Sequence, residues 1–418
     1  MSRPSDTAPR SLSVAVIGGS ISGCIAAASL EEAGHRVTVF ERSPNDLVGR
    51  GGGIATSGSV IARMKRDGLI EANFPSVPHR RLVLAKRSPG YEREGRCPWA
   101  PALDMECVLW SGMFASLRRR VRGIDYHLGK ELIGVEKGPG GERLHFADGT
   151  DHEADLVVFC DGFRSSGRRL TFPETRLEYR DLVIWRGTLP ERDYDAGHAL
   201  DEHPRLSLAS MPGSFITYLM PNEAGSVARG ERVINWAAYL PVAAGELEAT
   251  MLDREGRRRE STIPAGQLPP EREAELKGLM RAQLPTVFAD IVERSADTAY
   301  QPVRVCRAPA LARGRRCLVG DAAMPIQPLT GAGLFKAYEN ARTLAAATRA
   351  DGSLDAALAR WSDTQNRLNE RLLDTGYALE QVMIWNTIDL ATAETGAVER
   401  WWHERVDFPP EYSYLKSA

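Results

Sequence analysis

The chain lacks any hydrophobic run near the roughly 20 residues that cross a bilayer. It also lacks an excess of one charge and any grouping of cysteines or histidines. Each absence removes a class of function. With 53 basic and 55 acidic residues and a formal net charge of −2, there is no electrostatic case for nucleic acid or a membrane surface as the main partner. The cysteines (Cys24, Cys97, Cys107, Cys160, Cys306, Cys317) form no CxxC pair, and the histidines form no HExxH or HxH grouping. Reduced thiols and no bound metal are expected. The first twelve residues are polar, include Pro4 and Pro9, and read as a disordered leader. The first apolar run after them is already a strand rather than a signal-peptide core, so the expected location is cytoplasmic. Two arginine runs, Arg118–Arg120 and Arg257–Arg259, read as solvated surface.

What is present is more specific. From Val14 to Ser43 the chain reads VAVIGGSISGCIAAASLEEAGHRVTVFERS, a complete βαβ unit. Ser13 to Ile17 is a short apolar strand, and a small-residue turn follows through Gly18, Gly19, Ser20, Ile21, Ser22 and Gly23. An Ala-rich helix runs to about Glu32, with Gly34 as its stop. The second strand, Arg36 to Phe40, ends on Glu41. A glycine turn lets backbone approach a pyrophosphate, and the new helix points its N–H groups at the anion. The Glu41 carboxylate suits a ribose hydroxyl and repels a 2′-phosphate, which favours FAD or NAD over NADP at this turn. Ser20 stands where the pattern has its second glycine.

At 418 residues the chain exceeds one compact core, so two domains are expected. A glycine-dense loop spans Gly49 to Gly53, and a helix is expected near Ser59 to Asp67. Met105 to Val121 is helical in pattern, and Ile124 to Phe146 reads as strands around the turn Gly138–Gly141. From Tyr179 to Pro241, aromatic and β-branched residues alternate between turns, as an antiparallel sheet requires. Helices are expected from Glu271 to about Val292 and through most of Gly333 to Trp402. No internal repeat and no second glycine-rich βαβ unit are visible.

Two further segments end strands on small acidic turns. Asp155-Leu-Val-Val-Phe-Cys-Asp161-Gly162 is one, followed by Ser165 and Arg168. Arg316-Cys-Leu-Val-Gly320-Asp321-Ala322-Ala323 is the other, with Pro325, Pro328, Gly331, Ala332 and Gly333 leading into a helix. A glycine turn, a mid-chain Asp-Gly and a late Gly-Asp in this order resemble the single-component flavoprotein monooxygenases of the para-hydroxybenzoate hydroxylase type (group A). Within them, the Gly-Gly-Ser-Ile-Ser-Gly turn, Phe-Glu-Arg-Ser-Pro and Trp185-Arg186-Gly187 are similar to the 2,6-dihydroxypyridine hydroxylase branch.

The resemblance implies an α/β fold, with a split Rossmann-like FAD-binding domain, an inserted antiparallel β-sheet substrate domain and a helical C-terminus. The FAD-binding segments would be residues 1–76, 101–176 and 286–352. The substrate domain would take 77–100 and 177–285, and the helical region 353–418. Carried over, FAD would meet Gly18, Ser20, Ile21, Ser22, Gly23, Glu41, Arg42, Gly53, Asp161, Gly320, Asp321, Gly331, Ala332 and Gly333. Glu41 would bind the adenosine ribose, with Arg42 near the adenine. Asp321 would take the ribityl chain, Asp161 the dinucleotide and nicotinamide region, and Gly331–Gly333 the pyrimidine edge of the flavin. The implied reaction uses NADH or NADPH and O2, through a C4a-hydroperoxyflavin, to hydroxylate a small electron-rich aromatic or heteroaromatic substrate. Trp185, Tyr218 and Trp236 are the candidate pocket residues, although packing is the simpler reading of Trp185. No catalytic base is assigned, His203 reads as a surface residue in a loop, and Trp401-Trp402 reads as packing. A homodimer is compatible with the chain.

Two departures from the family pattern stand out. Trp110, Met113 and Leu117 fill a helical frame that usually begins with a cofactor-touching arginine, and Glu339-Asn340 replaces an Asp-Ala pair. Competing readings are a halogenase, whose Trp-x-Trp-x-Ile-Pro stretch is absent, a prenyl-chain reductase, an NAD-dependent dehydrogenase and a nucleotide-binding regulator without turnover.

Overall fold

The computed structural model describes residues 11–47 and 51–415. Most of the expected leader, and Gly49, lie outside the described residues. The strand Ser13–Ile17 is apolar at consecutive positions because it lies inside a parallel sheet covered on both faces. It pairs with Arg36–Phe40 on one side and Leu156–Phe159 on the other, in register Val14↔Val37 and Val14↔Leu156. The sheet order is Ala312–Arg313, Arg316–Leu318, Leu156–Phe159, Ser13–Ile17, Arg36–Phe40, Asp125–His127. All but the Ala312–Arg313 edge are parallel, so the carboxyl ends open on one side, where ligands of such sheets bind. Helix Ile21–Glu32 buries Ala26, Ala27 and Ala28 between this sheet and the helices Trp110–Arg120 and Gly333–Thr348. Alanine permits that close approach, and Gly34, at φ +92°, ends the helix in the left-handed region.

A nine-stranded sheet forms the second layer. Its path is Thr298–Val305, Glu178–Pro190, Val233–Pro241, Ser214–Met220, His203–Ser207, Val77–Lys86, Ala102–Leu109, Gly53–Ser57, with Arg96–Trp99 paired to Val77–Lys86. Neighbours are antiparallel except His203–Ser207 with Val77–Lys86. Alternation divides the sheet into two faces. Val183, Trp185, Phe215, Leu219, Ile234 and Trp236 point outward onto the helices Pro270–Gln283 and Thr286–Arg294. Ile184, Ile216, Tyr218 and Tyr239 point inward and share one core with the parallel sheet. The pocket expectation is corrected here for two residues. Trp236 is fully buried on the outer face, where its indole N–H donates to Ser295 Oγ at 2.8 Å. Trp185 meets the edge of Tyr300 at 4.8 Å on that same face.

The large sheet reaches past the expected segment limits, because Gly53–Ser57, Ala102–Leu109 and Thr298–Val305 all join it. The expected helix from Met105 begins instead at Trp110, preceded by the strand Ala102–Leu109. There Leu103, Met105 and Cys107 are buried while Asp104 and Glu106 are not, a period of two that overrides helical pattern. The C-terminal region folds into helices Leu354–Glu380 and Thr395–His403, and Trp402 packs on Trp99 at 5.7 Å. No described helix is long and apolar enough to cross a membrane.

Trp236→Ala is expected to cost about 3–5 kcal/mol of stability, read as a lowered denaturant midpoint. Trp236→Phe keeps most of the packing and should lose far less. Equal stability of Trp236→Ala and the parent would contradict its placement.

Candidate functional site

Glycines mark where the distant motifs meet. Gly18 has φ +97°, and a Cβ there would fall 2.6 Å from the Cys160 carbonyl oxygen, beside Asp161. At Gly320, φ +64°, a Cβ would fall 2.8 Å from Ser22 Oγ in the first turn. At Gly331, φ +65°, it would fall 2.9 Å from the Ala55 carbonyl oxygen. Residues near positions 20, 160, 320 and 330 therefore converge, Gly18 and Gly331 against backbone and Gly320 against the Ser22 side chain, and the Gly331 loop rests on the strand Gly53–Ser57.

The donors at this convergence are poised for an anion. Ser20 begins helix Ile21–Glu32 without a side-chain cap, as Ala332 does for helix Gly333–Thr348, leaving first-turn N–H groups free. Glu41 is buried, and its two carboxylate oxygens accept from the Gly19 and Ser43 N–H groups, each at 2.8 Å. Each oxygen keeps acceptor capacity for a hydroxyl. Arg42 is exposed beside it. The Tyr126 hydroxyl donates to the Gly19 carbonyl at 2.9 Å, and the Arg118 guanidinium lies 3.8 Å above the Tyr126 ring centre.

Asp161 is engaged within its own turn. It accepts from the Ser165 hydroxyl at 2.5 Å and the Gly167 N–H at 3.1 Å. Burial pushes its carboxyl above the usual range, against the pull of those two donors. Ser165 in turn caps the helix Ser166–Thr171. From that helix, buried Arg168 donates to the Asp321 and Ala322 carbonyls at 3.1 and 2.8 Å, tying the Asp-Gly and Gly-Asp motifs together. The Asp321 carboxylate is half exposed and pairs at 2.9 Å with Lys336, whose side chain is fully buried and also donates to the Met324 carbonyl. The replacement residue Asn340 accepts from the Gly320 N–H at 3.1 Å, and Glu339 pairs with Arg63. Trp110 lies over Gly51 and stacks on Phe114 at 5.4 Å, a packing role in place of the family's arginine.

The inner sheet face closes the site. Asn235 Oδ1 accepts from the Gly53 N–H at 3.0 Å, and a Cβ on Gly53 would fall 2.6 Å from the Tyr218 hydroxyl. Tyr218 is thus the pocket candidate that faces the convergence. His203 is corrected from a surface loop residue to a buried strand residue, stacked on Tyr218 at 5.5 Å and edge-on to His79 at 5.5 Å. Neither ring nitrogen of His203 has a partner, and burial holds its pKa well below the ordinary histidine value. The residues after Thr395–His403 return to the site. Tyr412 donates to the Thr330 carbonyl at 3.1 Å and stacks on Phe335, while the Tyr414 hydroxyl meets buried Arg205 at 3.0 Å.

Sequence reading missed Tyr126, Arg205, Asn235, Lys336, Tyr412 and Tyr414. Arg205 and Asn235 carried a usable signal, a polar residue alternating within an apolar strand. Lys336 and the tail tyrosines carried none, since only the tertiary fold brings them to the site. The described residues hold no cluster of metal-ligating side chains. A dinucleotide fits the donor set, which offers two uncapped helix starts, a buried acceptor at Glu41 and glycines where side chains would clash.

Comparison with known proteins points the same way. Residues 16–62 match a family model described as an NAD(P)-binding Rossmann-like domain, and residues 179–303 one described as FAD binding domain-like. The chain is 31% identical over 358 residues to 2,6-dihydroxypyridine 3-monooxygenase of Paenarthrobacter nicotinovorans, covering 84% of this chain and 86% of that protein. It is 23% identical to 6-hydroxynicotinate 3-monooxygenase of Pseudomonas fluorescens, over 83% and 85% of the two chains. The solved structure of 2,6-dihydroxypyridine-3-hydroxylase from Arthrobacter nicotinovorans superposes with a TM-score of 0.82 at 26% identity, covering 93% of this chain and 97% of that one. The convergent turns, the two-faced sheet and these matches together make the chain a member of the single-component FAD-dependent aromatic hydroxylases.

Proposed function

We propose that this protein hydroxylates a small, electron-rich aromatic or heteroaromatic ring of the phenol or hydroxypyridine kind, consuming NAD(P)H and O2. The observation that carries this reading is the meeting of the first turn, the Gly-Asp turn and the Gly331 loop beside an enclosed inner sheet face. When bound, FAD supplies hydride acceptance from NAD(P)H and the activation of O2 for transfer to the ring.

The chain's own residues bind, orient and exclude water. Ser20, Ile21, Ser22 and Gly23 present helix-start N–H groups to the diphosphate, with Gly18 giving the turn its left-handed geometry. Glu41 would accept from a ribose hydroxyl, and Arg42 would serve the adenine end. Asp321, backed by the Lys336 ammonium, would accept from the ribityl chain. Gly331, Ala332 and Gly333 would bring N–H donors to the pyrimidine edge, since the helix start at Gly333 favours negative charge. Asp161 acts as a brace through Ser165 and Arg168 at the dinucleotide end of the site. Gly53 sets the distance between this loop and Tyr218. One nucleotide unit means that the reduced nicotinamide visits and leaves.

The enclosed inner face keeps bulk water from the reacting oxygen. Tyr218 and Tyr239 supply apolar ring faces there, and burial pushes both hydroxyls above the ordinary tyrosine range, so both are neutral at pH 7.

Purified protein should be yellow, and phenols or hydroxypyridines, 2,6-dihydroxypyridine among them, should stimulate NAD(P)H and O2 consumption with a product heavier by one oxygen atom. A colourless protein that reduces NAD+ with an alcohol would contradict this reading, as would a yellow protein inert to both reductants. Glu41→Ala removes charge-assisted hydrogen bonds of about 1.5–3 kcal/mol, so FAD should bind about 10–100-fold more weakly when apoprotein is titrated by flavin fluorescence. Glu41→Gln, which keeps an acceptor, should lose less. An unchanged dissociation constant in Glu41→Ala would remove Glu41 from the FAD site.

A further inference from the structure

The inner face of the large sheet carries two arginines with no carboxylate to meet. Register places them on one row: Arg186 faces Ala237, Ala237 faces Ile216, and Ile216 faces Arg205. Their Cα atoms are three strand spacings apart, about 14 Å. The residues between them are small or apolar, and the next positions along the same face hold Tyr218 and Tyr239. Both tyrosines feel the charge of both arginines. The row therefore has a hydrocarbon middle, an aromatic side chain on either side and a cation at each end.

Arg205 is 3% exposed. Its Nη1 donates to the Tyr414 hydroxyl at 3.0 Å and reaches the Met383 sulfur at 3.4 Å, both neutral partners. Nε is buried with no partner, and no hydrogen bond engages Nη2. The free Nε–Nη2 edge is the fork that matches a carboxylate or a pair of oxygens. Arg118 also has a buried Nε without a hydrogen-bond partner, but it lies 3.7 Å from the Asp46 carboxylate, and four further buried or half-buried arginines are satisfied. Arg180 meets Glu380, Arg232 meets Glu191, Arg316 meets Glu142, and Arg168 is held by three backbone carbonyls. Among the described residues Arg186 and Arg205 form no ion pair. A buried cation lacking its counter-charge is costly, and that cost is recovered when an anion enters.

We propose that Arg205 and Arg186 form a two-ended clamp for an acidic substrate. Arg205 holds an ionised oxygen group on the ring, a carboxylate or an acidic ring hydroxyl, and Arg186 meets a second acidic oxygen at the opposite edge. The proposal rests on the hydroxylase reading above and narrows its substrate class. It also bears on reactivity, since a nearby guanidinium favours the ionised form of a ring hydroxyl, and ionisation enriches the ring in electrons. Tyr414 links the clamp to the cofactor loop, because its neighbour Tyr412 holds the Thr330 carbonyl.

The test uses FAD-loaded protein and a matched pair of probes, 6-hydroxynicotinate and its neutral twin 6-hydroxynicotinamide, titrated by the change in flavin absorbance. The parent should bind the acid at least about tenfold more tightly than the amide. Arg205→Met should abolish that preference, and Arg205→Lys should weaken it by loss of the fork. Arg186→Met should weaken both probes alike, since both keep the ring hydroxyl. Retained FAD and an unchanged melting midpoint qualify each variant. If Arg205→Met fails to fold, Arg205→Lys and Arg186→Met decide the matter. Equal binding of acid and amide by the parent would overturn the clamp, as would a preference that survives in Arg205→Met. If acid and amide bind equally well and drive NAD(P)H oxidation equally, the hydroxylase reading stands while the clamp falls. If no ring compound binds or stimulates oxidation, the hydroxylase reading itself fails.

Discussion

The structure depends on the chain's close approach to itself at a few glycines. Gly18 against Cys160, Gly23 against Gly18, Gly320 against Ser22 and Gly331 against Ala55 leave no room for a Cβ. Three of these residues also hold positive φ, where other residues are strained. Side chains at these positions would push the turns apart and dissolve the array of N–H donors. Segments separated by more than a hundred residues thus close on one another, and polar ties hold them there. Arg168 on the Asp321 and Ala322 carbonyls, Asn340 on Gly320 and Lys336 on Asp321 are the principal ones.

The large sheet performs two tasks with its two faces. Outward, Trp185, Phe215 and Trp236 bury apolar area against helices and contribute stability. Inward, the same strands alternate to Arg186, Arg205, Tyr218, Asn235 and Tyr239, a set with far more hydrogen-bonding capacity than a core requires. A strand with period two separates packing from chemistry at every step, so neighbouring residues such as Trp185 and Arg186 have unrelated roles. The C-terminal tail completes the inner side, with Tyr412 on the cofactor loop and Tyr414 on Arg205.

Much of this was legible in the residues, and the failures have physical causes. The first βαβ unit was readable because strand, turn, helix and terminal acid are local in sequence. The two later motifs became readable through their order along the chain. Which face of a strand meets the site was not readable, because Trp185 and Trp236 have the same alternation whether they face solvent-side helices or a ligand. His203 looked exposed beside Pro204, yet pairing with Val77–Lys86 buries it. Residues Met105–Leu109, the end of the strand Ala102–Leu109, read as helix because they run directly into a true helix start at Trp110. Lys336 and Tyr414 were invisible, since their partners lie on other elements.

The most direct measurement of the central claim is a crystal structure of the protein reconstituted with FAD. Adenosine should lie at Glu41, the diphosphate on the Ile21–Glu32 helix start, and the flavin ring between the Gly331–Gly333 loop and the inner face bearing Tyr218. Electron density for the flavin outside that convergence, or a nicotinamide dinucleotide held permanently in the first turn, would contradict it.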